Sequence, residues 1–251
     1  MRLRAVLSAA FLAAGAALAA ATPASAIANG LDVPPGAYPF AAKLSMPTFT
    51  LPDGSTITPG CSGSLIAPQW IITSGHCFVN ADNEPVSGPV PYPTSVLLGT
   101  TVDRPGKGTR RNVTEVLQSG VNDVALAKLD APVTGIAPLK VSTSAPFVGQ
   151  PVTLAGWGSL TDVAPKPSRK LQQGVMRVVS TTATTAHVVG LAPQQNTSAC
   201  NYDSGAPYFV GFGKAARLVS VESNGPSCPH SQPETTARAD LLADWITAHT
   251  Q

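Results

Sequence analysis

Cys61-Ser-Gly-Ser-Leu-Ile-Ala-Pro-Gln-Trp70-Ile-Ile-Thr-Ser-Gly-His76-Cys77 is the stretch on which the reading of the fold turns. Ser64–Ile66 and Trp70–Ile72 are short runs rich in Leu, Ile and Trp, separated by Ala-Pro-Gln. Such runs between turn residues are expected as β-strands. The stretch ends on a histidine beside a cysteine. If Cys77 bonded back to Cys61, the imidazole would be held firmly. An acid–base group needs that rigidity, because a small misplacement is costly in rate.

Working outward, the same strand signature recurs at Ser95–Leu98, Val124–Leu129, Pro151–Ala155, Val175–Val179, Tyr208–Val210 and Leu218–Val221. Gly, Pro, Asn and Asp punctuate the intervals, and 22 Gly and 24 Pro are too many for a helical protein. An all-β sandwich or barrel is expected, without a fixed-period repeat. A single helix is expected near the C-terminus. Asp240 would cap it, with Leu241, Leu242, Trp245 and Ile246 on one face. Pro138–Pro146, with Ser-Thr-Ser at its centre, reads as a linker between two β halves, 27–140 and 141–251, within one unit spanning 27–251.

Residues 1–26 stand apart. A basic start (Met-Arg-Leu-Arg), an Ala/Leu-rich run and an Ala24-Ser25-Ala26 ending describe a secretory signal peptide, with a membrane anchor ranked below it. The whole chain carries a formal charge of +2. Removing the leader takes Arg2 and Arg4 and leaves basic and acidic residues in balance. That balance argues against nucleic acid or an anionic membrane surface as a partner. The basic cluster Lys107–Arg111 is Gly-interrupted and reads as a solvated loop. Four cysteines in an exported chain suggest two disulfides, with three pairings open. None forms a CxxC pair, so zinc is a poor reading.

Two further segments carry chemistry. Asn122-Asp123-Val-Ala-Leu-Ala-Lys-Leu puts an acid at the head of an apolar strand, where a buried carboxylate needs a partner such as a histidine N–H. Ala199-Cys200-Asn-Tyr-Asp203-Ser204-Gly-Ala-Pro207 puts a serine in a tight turn beside an acid and a cysteine. An unactivated serine is a weak nucleophile and must find a base in space. Taken singly, each residue reads as a surface histidine, a strand-start aspartate or a turn serine. The order His, Asp, Ser gives the three a joint meaning.

These segments resemble the trypsin-like serine protease family over nearly the whole length after residue 26. The further matches are Ile27-Ala-Asn-Gly30, Ala155-Gly-Trp-Gly158 and Asp244-Trp-Ile246. The resemblance implies two six-stranded antiparallel β-barrels with a C-terminal helix, and disulfides Cys61–Cys77 and Cys200–Cys228. It implies His76 as general base, Asp123 orienting it, Ser204 as nucleophile, and the backbone N–H groups of Tyr202 and Ser204 as an oxyanion hole. It implies that an amine freed at Ile27 pairs with Asp203. Signal cleavage after Ala26 would create that amine directly. Protein or peptide substrates and proteinaceous inhibitors are the implied partners, with no cofactor or metal, in a secreted monomer.

Some positions depart from the family pattern. Tyr202 and Ala206 stand in Tyr-Asp-Ser-Gly-Ala-Pro where the family carries glycines. By alignment Ser198 forms the base of the specificity pocket, Ser220-Val-Glu222 replaces Ser-Trp-Gly, and Glu222 and Glu234 stand on its walls. A carboxylate there would attract Lys or Arg, whereas a serine base would admit an apolar side chain. The calcium loop of some relatives looks absent, because Asp103 is the one acid between Thr100 and Asn112. A catalytically weak, protein-binding homologue is the alternative function. An α/β-hydrolase is excluded by the broken G-x-S-x-G motif and by the order of the three residues.

Overall fold

The computed structural model describes residues 27–50, 54 and 56–250. The expected export signal, 1–26, lies outside the described residues. Twelve strands form two closed antiparallel barrels. The first comprises β1 (Ala41–Ser45), β2 (Gly60–Ala67), β3 (Trp70–Thr73), β4 (Ser95–Leu98), β5 (Thr109–Gln118) and β6 (Ala125–Leu129). They lie in the order β6-β3-β2-β1-β4-β5, and β5 pairs back with β6. The second comprises β7 (Pro151–Gly156), β8 (Gln172–Thr181), β9 (Thr185–Ala192), β10 (Pro207–Val210), β11 (Arg217–Asn224) and β12 (Glu234–Arg238). Their order is β8-β7-β10-β11-β12-β9, closed by β9 against β8. Closure satisfies the strand edges that an open sheet would leave unpaired.

The opening stretch is the β2–β3 hairpin, with Ser64 opposite Ile72 and Leu65 opposite Ile71. Leu44, Leu65, Ile71, Val96, Leu98, Val116 and Leu126 fill the first barrel, and Val152, Leu154, Met176, Val188, Tyr208 and Val219 fill the second. Each such aliphatic side chain contributes roughly 1.5–3 kcal/mol on burial. Phe40 meets Phe209 edge-on at 5.3 Å between ring centres, and Tyr38 meets the same ring at 4.9 Å. These contacts join the halves, since Phe40 precedes β1 and Phe209 lies in β10.

Seven of the eight expected strand runs fall within observed strands, and Val124–Leu129 begins one residue before β6. Four strands were not expected: β1, β5, β9 and β12. The last, Glu-Thr-Thr-Ala-Arg, has no apolar alternation, yet Glu234, Thr236 and Ala237 are buried. Leu31–Asp32, early in the chain, pairs with β8 of the second barrel rather than with the first. The helical end also differs in detail. Asp240–Leu242 is a 3-10 turn, and α1 covers Ala243–His249. Asp240 does not cap the helix; its carboxylate is held by Arg238 at 2.7 Å. Leu242 and Ile246 are buried, whereas Leu241 is exposed.

Candidate active site

His76 sits on the 3-10 turn Gly75–Cys77 that follows β3. The Cys61–Cys77 disulfide ties this turn to β2. Asp123, in the turn before β6, approaches it from two directions. Its Oδ1 accepts from the His76 backbone N–H at 2.9 Å, and its Oδ2 lies 2.8 Å from Nδ1. Gly75 makes the approach possible, because a Cβ there would meet Gln118 Oε1 at 2.5 Å and Asp123 Oδ1 at 3.0 Å. Ser223 completes the arrangement by donating its hydroxyl to Asp123 Oδ2 at 2.6 Å. Burial opposes ionisation of Asp123, but His76, by hydrogen bond and charge, and the Ser223 hydroxyl outweigh it and hold the carboxyl below its usual range. An ionised carboxylate only accepts, so Nδ1 carries the proton and Nε2 is left as the basic nitrogen.

Ser204 stands on the turn Cys200–Ala206, closed by Asp203 N to Cys200 O at 2.9 Å and Ala206 N to Asp203 O at 2.7 Å. Both barrels grip this turn. Ser62 N of β2 donates to Ser204 O at 2.8 Å, and Gly205 N donates to Glu222 O of β11 at 2.8 Å. Gly205 has φ 85°, and a Cβ there would run into Thr73 Oγ1 and the Ser62 carbonyl. Tyr202, where the family carries glycine, has φ 74°. That left-handed conformation costs a non-glycine residue about 1–2 kcal/mol. Two hydrogen bonds hold it. Ser62 Oγ donates to Tyr202 O at 3.1 Å while accepting from Trp157 N at 2.9 Å, and the phenol donates to Pro165 O at 3.3 Å. Among the described residues, neither the N–H of Tyr202 nor that of Ser204 meets an acceptor.

His76 and Ser204 line one cleft together. No hydrogen bond joins Nε2 to the serine hydroxyl among the described residues. An unliganded site is often loose at this contact and tightens only around its substrate.

Asp203 is fully buried. It accepts from Gly158 N at 2.8 Å and Cys200 N at 3.0 Å, and no cation faces it among the described residues. Burial pushes its carboxyl well above the usual range despite these two donors, and the charge of Glu234 adds to the effect. A Cβ on Gly156 or Gly158 would collide with this carboxylate, which explains the Gly-Trp-Gly motif. Ile27 is fully buried in the second core, and Ala28 bridges to Ser198.

The cleft beside Ser204 encloses about 320 Å³ between the 199–201 and 222–228 segments. Of the residues expected there, Glu222 lines it. Ser198, Ser220 and Glu234 do not; all three are buried in the second barrel. Ser198 Oγ accepts from His230 N at 3.2 Å. The strip along the cleft is Ser223-Asn224-Gly225, three residues beyond the expected Ser220-Val-Glu222. The Ser223–Asp123 bond was missed with it, although the second Ser-x-Gly triplet was there to be read. On the other side of Ser204 a broader hollow of about 1350 Å³ is walled by Phe49, Ile57, Pro59, Tyr92, Pro165 and Tyr202.

Both expected disulfides are formed. Among the described residues, no group of three or more His, Cys, Asp or Glu is placed to hold a metal ion. No described helix is long and apolar enough to cross a membrane.

Comparison with known proteins adds to this geometry. Residues 27–246 match the family model described as Trypsin. Over 249 residues the chain is 27% identical to Serine protease 56 of Mus musculus, a match covering 88% of the chain and 38% of that protein. The chain thus spans well under half the length of this relative. Brachyurin of Leptuca pugilator is 27% identical over 236 residues, covering 89% of the chain and 98% of brachyurin. Serine protease SP24D of Anopheles gambiae is 28% identical over 210 residues, covering 77% and 72%.

Proposed function

Because the chain belongs to the trypsin family, we propose that it is a secreted serine endopeptidase, acting through an acyl-enzyme on Ser204. The observation that carries this reading is the orientation of His76. Asp123 accepts from the His76 backbone N–H and holds the ring at Nδ1, and His76 shares a cleft with Ser204. In the proposed reaction the Ser204 oxygen attacks a peptide carbonyl carbon and its proton passes to Nε2. Asp123 stabilises the imidazolium. The carbonyl oxygen, now negative, takes the N–H groups of Tyr202 and Ser204, and preorganised donors of this kind supply about 3–4 kcal/mol in other proteases. His76 then returns the proton to the departing amine. Water repeats the sequence on the acyl-enzyme and regenerates the serine.

Tyr202 is what motivates the alternative of an inactive, protein-binding homologue. Its φ of 74° weakens that motive, because the backbone lies in the region a glycine would occupy. The Ala-rich leader supports export. Asp203, buried without a cation, supports an activating role for the Ile27 amine, since an added positive charge would relieve a costly burial.

The deciding experiment is labelling by a fluorophosphonate of protein whose first residue has been sequenced. Ser204 is expected to be labelled in chains beginning Ile27-Ala-Asn-Gly, with S204A unlabelled and inactive on peptides. Correctly cut, folded protein that resists labelling would favour the binder.

A further inference from the structure

Inside the second barrel, two carboxyl groups close on one hydroxyl. Tyr208 Oη lies 2.7 Å from Glu222 Oε2 and 2.5 Å from Glu234 Oε2, and all three residues are buried. A phenol has one proton to donate. It can serve one carboxylate, and it holds the second at this distance only by accepting from a protonated carboxyl. The chain Glu–COOH, Tyr–OH, Glu–COO⁻ therefore requires at least one proton on the carboxyl pair.

The backbone of Glu222 is where the parts of the candidate site meet. Its N–H donates to Ala206 O at 2.9 Å, and its carbonyl accepts from Gly205 N at 2.8 Å. Those two bonds hold the turn that carries Ser204. The same carbonyl accepts from the hydroxyl of Ser74, which precedes the His76 turn. The next residue, Ser223, donates to Asp123 Oδ2 at 2.6 Å. One short stretch thus braces the nucleophile turn, the histidine turn and the orienting acid.

The two acids are not equally secured. Glu234 uses Oε2 on Tyr208 and Oε1 on the Ala199 N–H at 2.6 Å. Glu222 has no hydrogen-bond partner for Oε1 among the described residues, and it borders open space along the cleft. Asp203 of the serine turn and Asp123 of the first barrel oppose ionisation of Glu222 by like charge, and His230 Nε2 lies 3.4 Å from Glu234 Oε1. On the flanking strands His187 meets Thr235 and Arg238 pairs with Asp240. Burial and mutual repulsion push Glu222 well above its ordinary value, and burial pushes Glu234 up to about 7. The pair thus sheds its protons late.

We propose that Glu222 is a positioning residue for Ser204 and Asp123, and that the proton bridged to Glu234 through Tyr208 latches it in place. Resting on the peptidase reading, this makes the cluster an alkaline switch on activity. Once the last proton has passed to solvent, two carboxylates compete for one phenol proton. Glu234 is anchored at Ala199, so Glu222 is the one displaced, toward the cleft and water. Its backbone then slackens its hold on Gly205, on Ser74 and, through Ser223, on Asp123. Reprotonation restores the contact, so the loss is reversible.

The test follows the rate at which an alkyl fluorophosphonate labels Ser204 between about pH 6 and about pH 10, with the fold checked by circular dichroism throughout. The wild-type rate is expected to fall reversibly, by roughly tenfold, on the alkaline side, and the midpoint of that fall to lie at least about one unit higher in E234Q. The glutamine carbonyl keeps the Ala199 N–H, its amide donates permanently to Tyr208, and the doubly charged state cannot form. E222Q traps the same arrangement from the other side and decides the matter if E234Q does not fold. Alkaline limbs that coincide in wild type and variant would overturn the proposal. Glutamate carboxyl carbons followed by NMR in S204A test the proton store without catalysis. Two are expected to titrate above the ordinary glutamate range, and their absence would also overturn it. If Ser204 labels with the same alkaline limb in wild type and E234Q, the latch fails and the peptidase stands. If the two carboxyls titrate as expected and wild-type Ser204 resists labelling at every pH, the peptidase fails and the latch stands.

Discussion

Asp123 of the first barrel and Asp203, Glu222 and Glu234 of the second bear the same functional group and are driven in opposite directions. Asp123 is held below the carboxylate range by His76 and Ser223. The other three are pushed above it, with fewer donors, deeper burial and one another for neighbours. The lesson concerns neighbours: an acid surrounded by N–H and O–H groups keeps its charge, and acids packed together share protons. In the proposed mechanism the first kind orients a base.

Neutralising each kind tests the contrast. Asp123→Asn replaces an acceptor with a group that can donate, so His76 would adopt the wrong tautomer. The expected loss is roughly 10⁴-fold in kcat, the size seen for this triad elsewhere, measured on a peptide ester with the fold checked by circular dichroism. A drop below about tenfold would mean that the carboxylate does not set the imidazole.

Glu234→Gln should act oppositely, on stability. Glu234 binds its proton more tightly folded, at about 7, than its ordinary 4.5. The stability that this supports is fully present below about pH 4.5 and is lost as pH rises through about 7. The variant cannot ionise and should lose less. Urea denaturation should find it more stable than wild type at about pH 8 by roughly 1–3 kcal/mol, with little difference at about pH 4.5. Equal pH slopes for the two proteins would remove Glu234 from the proton-sharing group.

The smallest change sharpens the picture on the Asp123 side. Ser223→Ala removes one of three donors to that carboxylate. About 0.5–1.5 kcal/mol of transition-state stabilisation should go with it, a fall of up to about tenfold in kcat/KM. An unchanged kcat/KM would make Ser223 a bystander.

Eight of the twelve barrel strands and the His, Asp and Ser positions were legible because each rests on a local pattern: a strand flanked by turns, a histidine beside a half-cystine, a serine in a tight turn; the pairing of the strands into two barrels came from the family resemblance. What was not legible depends on register. Ser220 and Ser223 both begin plausible triplets, and a bulge between Glu222 and Asn224 in the pairing with β12 accompanies the placement of the second along the cleft. No periodicity announces such an offset. Glu234 was unreadable for a related reason. Its strand is polar apart from Ala237, and only the second barrel's closure shows that the glutamate faces a tyrosine rather than water. At Tyr202 the residue type suggested obstruction, while the backbone conformation that decides the matter is absent from the one-letter code.

Ser62 has a mechanical consequence. It neighbours Cys61, which is bonded to the residue after the histidine, and it also grips the serine loop through its amide and its hydroxyl. One short length of chain therefore clamps both ends of the reacting pair. A tilt of one lobe relative to the other would carry nucleophile and base along together. The gap between them would be insulated from such a tilt, and the flexing left to the walls where a substrate's side chains would lie.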